Sequence, residues 1–541
     1  MASDTRALGT DSPLLDALRN DLTSASFTVE TVEALIGPAA AQALRREDPA
    51  PARHALRCRI ERAAGLFRLF VLGDALGSDR IEALLPELGV EGACDLCLLE
   101  SGPSHHSRTS RDDSDDSADV RFDTGPIPVH DPLRARITLS PYSATDDAGD
   151  IHWWIASDLA ELATGRPLGA EHVLGVGGAS LTLARITPRD PVATALDVGC
   201  GGGIQALHLS RHAERVVATD LSQRALDFAA FNAALNGITL DLRRGSLLEP
   251  IGSERFDLIV SNPPFVITPR DSAIETWTYR DGGRAGDAIV GDMLRALPAH
   301  LAPGGSAVML GNWEISGEDW SAHPRTWLET AQADGVDAWV IQRDREDPAA
   351  YAATWARDGG ITPRDAAWDP LIMAWLNDFA SRGVDGIGFG YVLLHRPAGP
   401  GDHTPSRAAV LRCEEAVGTG SGTLAEHLAA TMQRLSALAA LEDEQLGATR
   451  PIRADDVMER RHLVPGAWDP TLIELVQGGG LARTQVADQV LAATVGALDG
   501  TLTLEQTLAA VCALTGDDLD EARGRVFAQV RELIVAGMLT I

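Results

Sequence analysis

Between Thr194 and Asp220 the chain spells a strand, a glycine-crowded reversal, a helix-length spacer and a second strand, an order that few folds can accommodate. Thr194 to Val198 is an apolar run of strand length that leads into Asp197-Val198-Gly199-Cys200-Gly201-Gly202-Gly203. Gly199, Gly201 and Gly203 let the backbone turn sharply from strand to helix and let a ligand come close, because no Cβ stands in the way. The second strand ends at Asp220, about twenty residues on, where a carboxylate can accept hydrogen bonds from both hydroxyls of a ribose. The β/α alternation runs from Ile151 to about Arg396, the pattern of a doubly wound α/β sheet. Strands are expected at Thr194 to Val198, Val216 to Thr219, Leu240 to Arg243, Leu258 to Ser261, Ser306 to Leu310, Ala338 to Gln342 and Phe389 to Leu394. Ser222 is the expected N-cap of the helix running through Asn236, with Gly237 as its stop.

A chain of 541 residues is too long for one core, so further domains are expected on either side. The expected division is 1–145, 150–396 and 403–541, with the Pro/Gly-rich Arg396-Pro397-Ala398-Gly399-Pro400-Gly401-Asp402 as the second linker. In the first part, helices are expected around Leu14 to Leu22, Val29 to Ile36, His54 to Leu76 and Asp79 to Leu88, followed by strands at Val120 to Phe122 and Arg136 to Leu139. That order is compatible with a winged-helix-like module. Residues 101–119 are rich in Ser, Asp and His and too poor in apolar side chains to offset the entropy of ordering, so they read as a disordered loop. The last part reads as helical and again compatible with a winged helix, with a capping box from Thr503 to Gln506 and a longer helix opening at Asp517 to Glu521.

Formal net charge is −31, and all 46 basic side chains are arginine. Lysine chemistry is therefore excluded, and so negative a chain is repelled from bare nucleic acid unless a local arginine cleft overrides the global field. No apolar run approaches the roughly 18 residues of a membrane span, and the N-terminus lacks the pattern of a signal peptide, so a cytoplasmic protein with reduced thiols is expected. Cys94 and Cys97 form a lone CxxC without a second pair, and His208 and His212 stand one helical turn apart without an evident carboxylate. The first reads as half of a zinc site and the second has metal-compatible spacing, but each lacks its partners, so no metal site is expected.

About sixty residues past the glycine turn, the apolar run Phe256 to Ser261 ends in Asn262-Pro263-Pro264-Phe265. An Asn oxygen, a proline-flanked carbonyl and a flat aromatic face are the parts needed to hold an NH2 group whose lone pair is delocalised into a π system. Together the two motifs resemble class I S-adenosylmethionine-dependent methyltransferases with an Asn-Pro-Pro-Phe motif, the superfamily of release-factor glutamine N5 and N6-adenine enzymes. The resemblance implies a Rossmann-like seven-stranded domain that ends in an antiparallel hairpin and binds S-adenosyl-L-methionine. It places Asn262, Pro263 and Phe265 at the acceptor nitrogen and Asp197, Gly199, Gly201, Gly203 and Asp220 around the cofactor. Gly177 and Gly178, in His172 to Leu183, resemble the loop over the methionine end. Ser246 stands where the family usually carries an adenine-binding Asp, and a hydroxyl can still accept one hydrogen bond.

The segment Tyr279-Arg280-Asp281-Gly282-Gly283-Arg284-Ala285-Gly286-Asp287 resembles the stretch just C-terminal to the motif in release-factor enzymes, and Val266 stands where guanine N2 enzymes carry His. The expected acceptor is thus a protein glutamine side chain, with a translation factor or ribosomal protein as partner. An adenine or guanine amine in RNA or DNA and a cofactor-binding protein without turnover are the alternatives.

Overall fold

The computed structural model describes residues 7–101, 132–146, 148–164, 169, 171–270, 284–398 and 407–541. The loop expected at 101–119 lies outside them except for Ser101, as do the strand expected at Val120 to Phe122 and the linker from Gly399. The chain forms two compact units, one of 1–177, 200–207 and 220–244, the other of 178–199, 208–219 and 245–541.

The first unit holds the helices Ser12–Ser24, Val29–Leu44, Ala50–Leu56, Arg62–Phe70, Ser78–Leu84 and Gly89–Asp95 and a three-stranded sheet in the order Leu76–Gly77, Pro132–Ala135, Leu99–Ser101. The helices expected at His54 to Leu76 and at Asp79 to Leu88 are each broken. The first breaks where Arg57 to Ile60 faces solvent, Ile60 being 84% exposed. The second breaks at Leu85-Pro86, where proline removes a helical donor and disfavours helix for the residue before it. A long hairpin, Ile137–Asp146 against Gly149–Asp158, spans the position expected for a domain boundary. The N-terminal helices bury Leu18, Phe27, Phe67 and Phe70 in one core with Phe228, Phe231 and Leu235.

The mixed sheet has eight strands. In chain order its elements are β1 Val192–Val198, α1 Ile204–Leu209, β2 Ala213–Asp220, α2 Gln223–Leu235, β3 Asp241–Arg244, β4 Phe256–Ser261, α3 Ala288–Ala296, β5 Leu301–Ile315, β6 Asp337–Glu346, α4 Pro348–Asp358, α5 Trp368–Arg382, β7 Gly386–His395 and β8 Leu411–Glu415. The strands of the second unit run β8-β6-β7-β5-β4-β1-β2, and β3 belongs to the first unit. β2, β1, β4 and β5 pair in parallel with one another in that order, while β7 runs antiparallel between β5 and β6, the hairpin expected of the family. All seven expected strands are present. The eighth, β8, lies beyond the linker and pairs in parallel with β6, a long-range contact that no local periodicity announces.

The helical reading of the last part holds for α6 Leu424–Leu438 and α7 Leu519–Ala536. Thr503 and Gln506 form the expected capping box, and Asp518 caps α7, which buries Val526, Val530, Leu533 and Ile534. The part also holds a three-stranded sheet, Val457–Leu463, Pro470–Gln477 and Thr484–Ala487, which the helical expectation did not include. Its first strand is almost wholly exposed, so it lacks the alternation that marks a half-buried strand. No helix among the described residues is long and apolar enough to cross a membrane.

Candidate functional site

Val198 of β1 pairs with Thr219 of β2 and with Ser261 of β4, so three parallel strands stop level with one another. The Gly199 N–H donates to the Thr219 carbonyl at 2.8 Å and the buried Ser261 hydroxyl donates to the Val198 carbonyl at 2.8 Å. In open α/β sheets, ligands bind just outside such carboxyl ends. Gly199 and Asn262 are the residues that leave the paired ends of β1 and β4. Asp197, one residue earlier on β1, is buried at 1% exposure.

Gly199, Gly201 and Gly203 have φ of +73°, +53° and +84°, a region where an L side chain is strained. Their environments differ. A Cβ on Gly199 or Gly201 would meet no protein atom within 4 Å, whereas one on Gly203 would lie 3.0 Å from the Ala229 Cβ. The space beside each of the first two is open, and the third lets α2 pack. Asn232 on α2, buried at 0%, fixes the turn by donating to the Gly202 carbonyl at 2.8 Å while exchanging hydrogen bonds with the Ala156 backbone at 2.7 and 3.0 Å.

Asp220 is held from behind by the backbone. Its Oδ2 accepts from the Gly201 N–H at 2.9 Å and its Oδ1 from the Ser222 N–H at 2.8 Å, while Ser222 caps α2 through the Ala225 N–H. Each oxygen keeps a further lone pair. Burial pushes the Asp220 pKa above the usual carboxylate value, opposed by the amides of Ser222, Gly201 and Leu221.

Ser246 is partly buried and its carbonyl accepts from Glu249 N–H at 2.9 Å. The next residue, Leu247, takes a positive φ of 48° and its carbonyl accepts from the Thr219 hydroxyl at 3.0 Å, which ties this loop to the end of β2. Gly177 and Gly178 are exposed, and a Cβ on either would meet nothing within 4 Å. Gly178 is the first residue of the helix Gly178–Ile186.

At Asn262 the side-chain Oδ1 is buried without a hydrogen-bond partner among the described residues. Pro263 is buried and Phe265 partly buried, its ring edge-on to Trp355 with centroids 6.5 Å apart. The segment after the motif is pinned at both polar atoms of Ile267: its N–H donates to the Tyr351 hydroxyl at 2.8 Å and its carbonyl accepts from Trp375 Nε1 at 2.6 Å. Asn312 of β5 donates to the same hydroxyl at 3.1 Å. Tyr351 is wholly buried, stacked on Phe389, and its ionisation is pushed far up by burial. Tyr351, Trp355 and Trp375 lie on α4 and α5, some ninety to 110 residues past the motif, and no spacing rule links them to it.

Of the Gly-Gly and Gly-Asp segment, residues 279–283 lie outside the described residues. Asp287 serves the scaffold. Its Oδ2 accepts from the Glu314 N–H at 2.7 Å and from His323 Nδ1 at 2.7 Å. The hydrogen bond from Asp287 raises the His323 pKa.

In the first unit two backbone amides hold the Asp220 carboxylate beside the Gly201 turn, and in the second the Asn262 Oδ1 stands past the end of β4 with no hydrogen-bond partner among the described residues. Residues 176–320 match the methyltransferase small domain. This segment is a methyltransferase small domain, of the class I S-adenosylmethionine-dependent superfamily. Residues 24–109 match a domain of unknown function (DUF7059).

The ribosomal protein uL3 glutamine methyltransferase of Bradyrhizobium diazoefficiens is 33% identical to this chain over 165 residues, 28% of this chain and 52% of that protein. The release factor glutamine methyltransferase of Xylella fastidiosa is 40% identical over 163 residues, 28% of this chain and 55% of that protein. The chain thus spans about half the length of the curated relatives it matches.

Proposed function

We propose that this protein is an S-adenosylmethionine-dependent N-methyltransferase that methylates the side-chain amide of a glutamine in a protein of the translation apparatus. The observation that carries the reading is the buried Asn262 Oδ1, which has no partner among the described residues and is placed where β4 ends level with β1. A buried carbonyl left unpaired costs about 1–3 kcal/mol, so such an atom calls for a donor. A primary amide supplies two.

The residues present fit S-adenosylmethionine. Gly199 and Gly201 would face it with nothing in the space a side chain would occupy, and Asp220 keeps lone pairs for ribose hydroxyls. When bound, the cofactor supplies a methyl group on a cationic sulfur, an electrophile that needs no metal. The protein then contributes placement. Asn262 Oδ1 accepts one N–H of the acceptor amide and fixes the nitrogen, while Phe265, itself set by Trp355, covers the plane of the group. Holding reacting atoms near contact is worth several orders of magnitude in rate. The glutamine assignment draws on the relatives, both named as glutamine methyltransferases.

The test is to incubate the protein with methyl-labelled cofactor and, separately, a purified release factor, ribosomal protein uL3 and ribosomal RNA, and to locate label by mass spectrometry. N5-methylglutamine in a protein supports the reading. Label only in RNA would replace it with a base methyltransferase.

A further inference from the structure

On α6, His427, Thr431 and Arg434 stand at i, i+4 and i+7 and share one face. Helical side chains lean toward the N-terminus, and Arg434 does so, its Nη2 donating to the Thr431 hydroxyl at 3.0 Å. Thr431 is wholly buried and passes its own proton to the Val535 carbonyl at 3.3 Å. The chain at Gly480 presses on the His427 ring, where an added Cβ would fall 2.3 Å from Nδ1. Three residues later comes Arg483, whose side chain is 15% exposed and lies over the Trp339 ring at 5.5 Å.

The charges here do not balance locally. Arg483 pairs with Glu414, but Glu414 also serves Arg412 and the Trp339 Nε1. Arg434 has no carboxylate partner among the described residues, and the charge that acts on it is the like charge of Arg483. Three buried nitrogens, His427 Nε2, Arg434 Nε and Arg483 Nη1, have no hydrogen-bond partner among the described residues. Burial, then Arg483 and Arg434, hold the His427 pKa down at about 4 against the pull of Asp456, so the imidazole is neutral at pH 7 and can donate from Nε2.

Partly buried guanidiniums of like charge, each with a buried nitrogen left unmet, are unfavourable unless an anion lies against them. We propose that His427, Arg434 and Arg483 form a binding site for a small oxyanion of the phosphate type, separate from the methyl-transfer site. Guanidinium N–H groups match phosphate oxygens in geometry and charge. Burial of the donors selects a free small ion over a phosphodiester chain, which could not shed enough of its own bulk to reach them.

The experiment is calorimetric titration of inorganic phosphate into the full-length protein in a chloride buffer of matched ionic strength at pH 7.5, with melting curves in both buffers. The expected result is one saturable site and a melting temperature that rises with phosphate, as linkage requires of a ligand that binds only the folded state. Arg434→Met should weaken phosphate at least tenfold and, in chloride, melt no lower than the parent, because it removes a like-charge contact. His427→Ala, which deletes one donor, should weaken phosphate several-fold and carries the comparison if Arg434→Met does not fold. The proposal is overturned by the absence of saturable phosphate binding to the parent protein. It is equally overturned if both variants bind phosphate like the parent, or if Arg434→Met melts well below the parent in chloride.

Discussion

In the role proposed for Asp220, burial and function pull in opposite directions. The carboxylate accepts from ribose hydroxyls most strongly when ionised, yet burial raises its pKa above the ordinary 3.8. Protonation therefore competes with the cofactor, and affinity should fall as pH drops through that raised value, an onset higher than an exposed aspartate would show. Calorimetry between pH 7 and 4 reads this directly. Asp220→Asn should bind about 1–3 kcal/mol more weakly at neutral pH and lose the acid-dependent fall, and an unchanged pH profile in that variant would assign the titration elsewhere. Asn262 separates binding from transfer. Its Oδ1 bonds to no described residue, so Asn262→Ala should leave cofactor affinity in place while methyl transfer drops by about a hundredfold or more. A variant that lost cofactor binding along with activity would make Asn262 a turn former.

The segment that carries the motif is held by other elements. The turn after β4 cannot hold its own backbone polar groups, so α4 and α5 do it through Tyr351 and Trp375, with Trp355 bracing Phe265. Tyr351→Phe keeps the stack on Phe389 but strands the Ile267 N–H and the Asn312 amide. Leaving a buried donor unpaired should cost about 1–3 kcal/mol in denaturant unfolding, with kcat falling more than cofactor affinity. Equal losses in both would mean that the hydroxyl supports the fold without positioning the motif. The same division of labour holds at Asp287. Its sequence neighbourhood resembles a segment beside the catalytic motif, but its carboxylate tethers β5 and His323.

Over the whole molecule, the sequence pointed to three domains, whereas the first unit joins the N-terminal helices to α2 of the methyltransferase in one core. Arg19 donates to the carbonyls of Ala234 and Leu235 at 3.0 and 2.9 Å, and Trp154 Nε1 to that of Phe27 at 2.8 Å. A chain begun at residue 150 should consequently melt well below the full protein or aggregate, since Phe228, Phe231 and Leu235 would each lose roughly 1.5–3 kcal/mol of burial. A fragment that kept the parent's melting temperature and cofactor affinity would restore the expectation of an independent N-terminal domain. What the sequence by itself determined was local: the strand ends, the glycine turn, Asp220, the Ser222 cap and the position of Asn262 are all written in contiguous residues whose backbone preferences and spacing carry their own meaning. Only the tertiary structure decided that β8 joins the sheet from beyond the linker, that Tyr351, Trp355 and Trp375 hold the motif, and that the chain at Gly480 packs on His427. Those are contacts between segments tens to hundreds of residues apart, chosen by burial and hydrogen-bond demand in the folded chain, and no periodicity along the sequence encodes them.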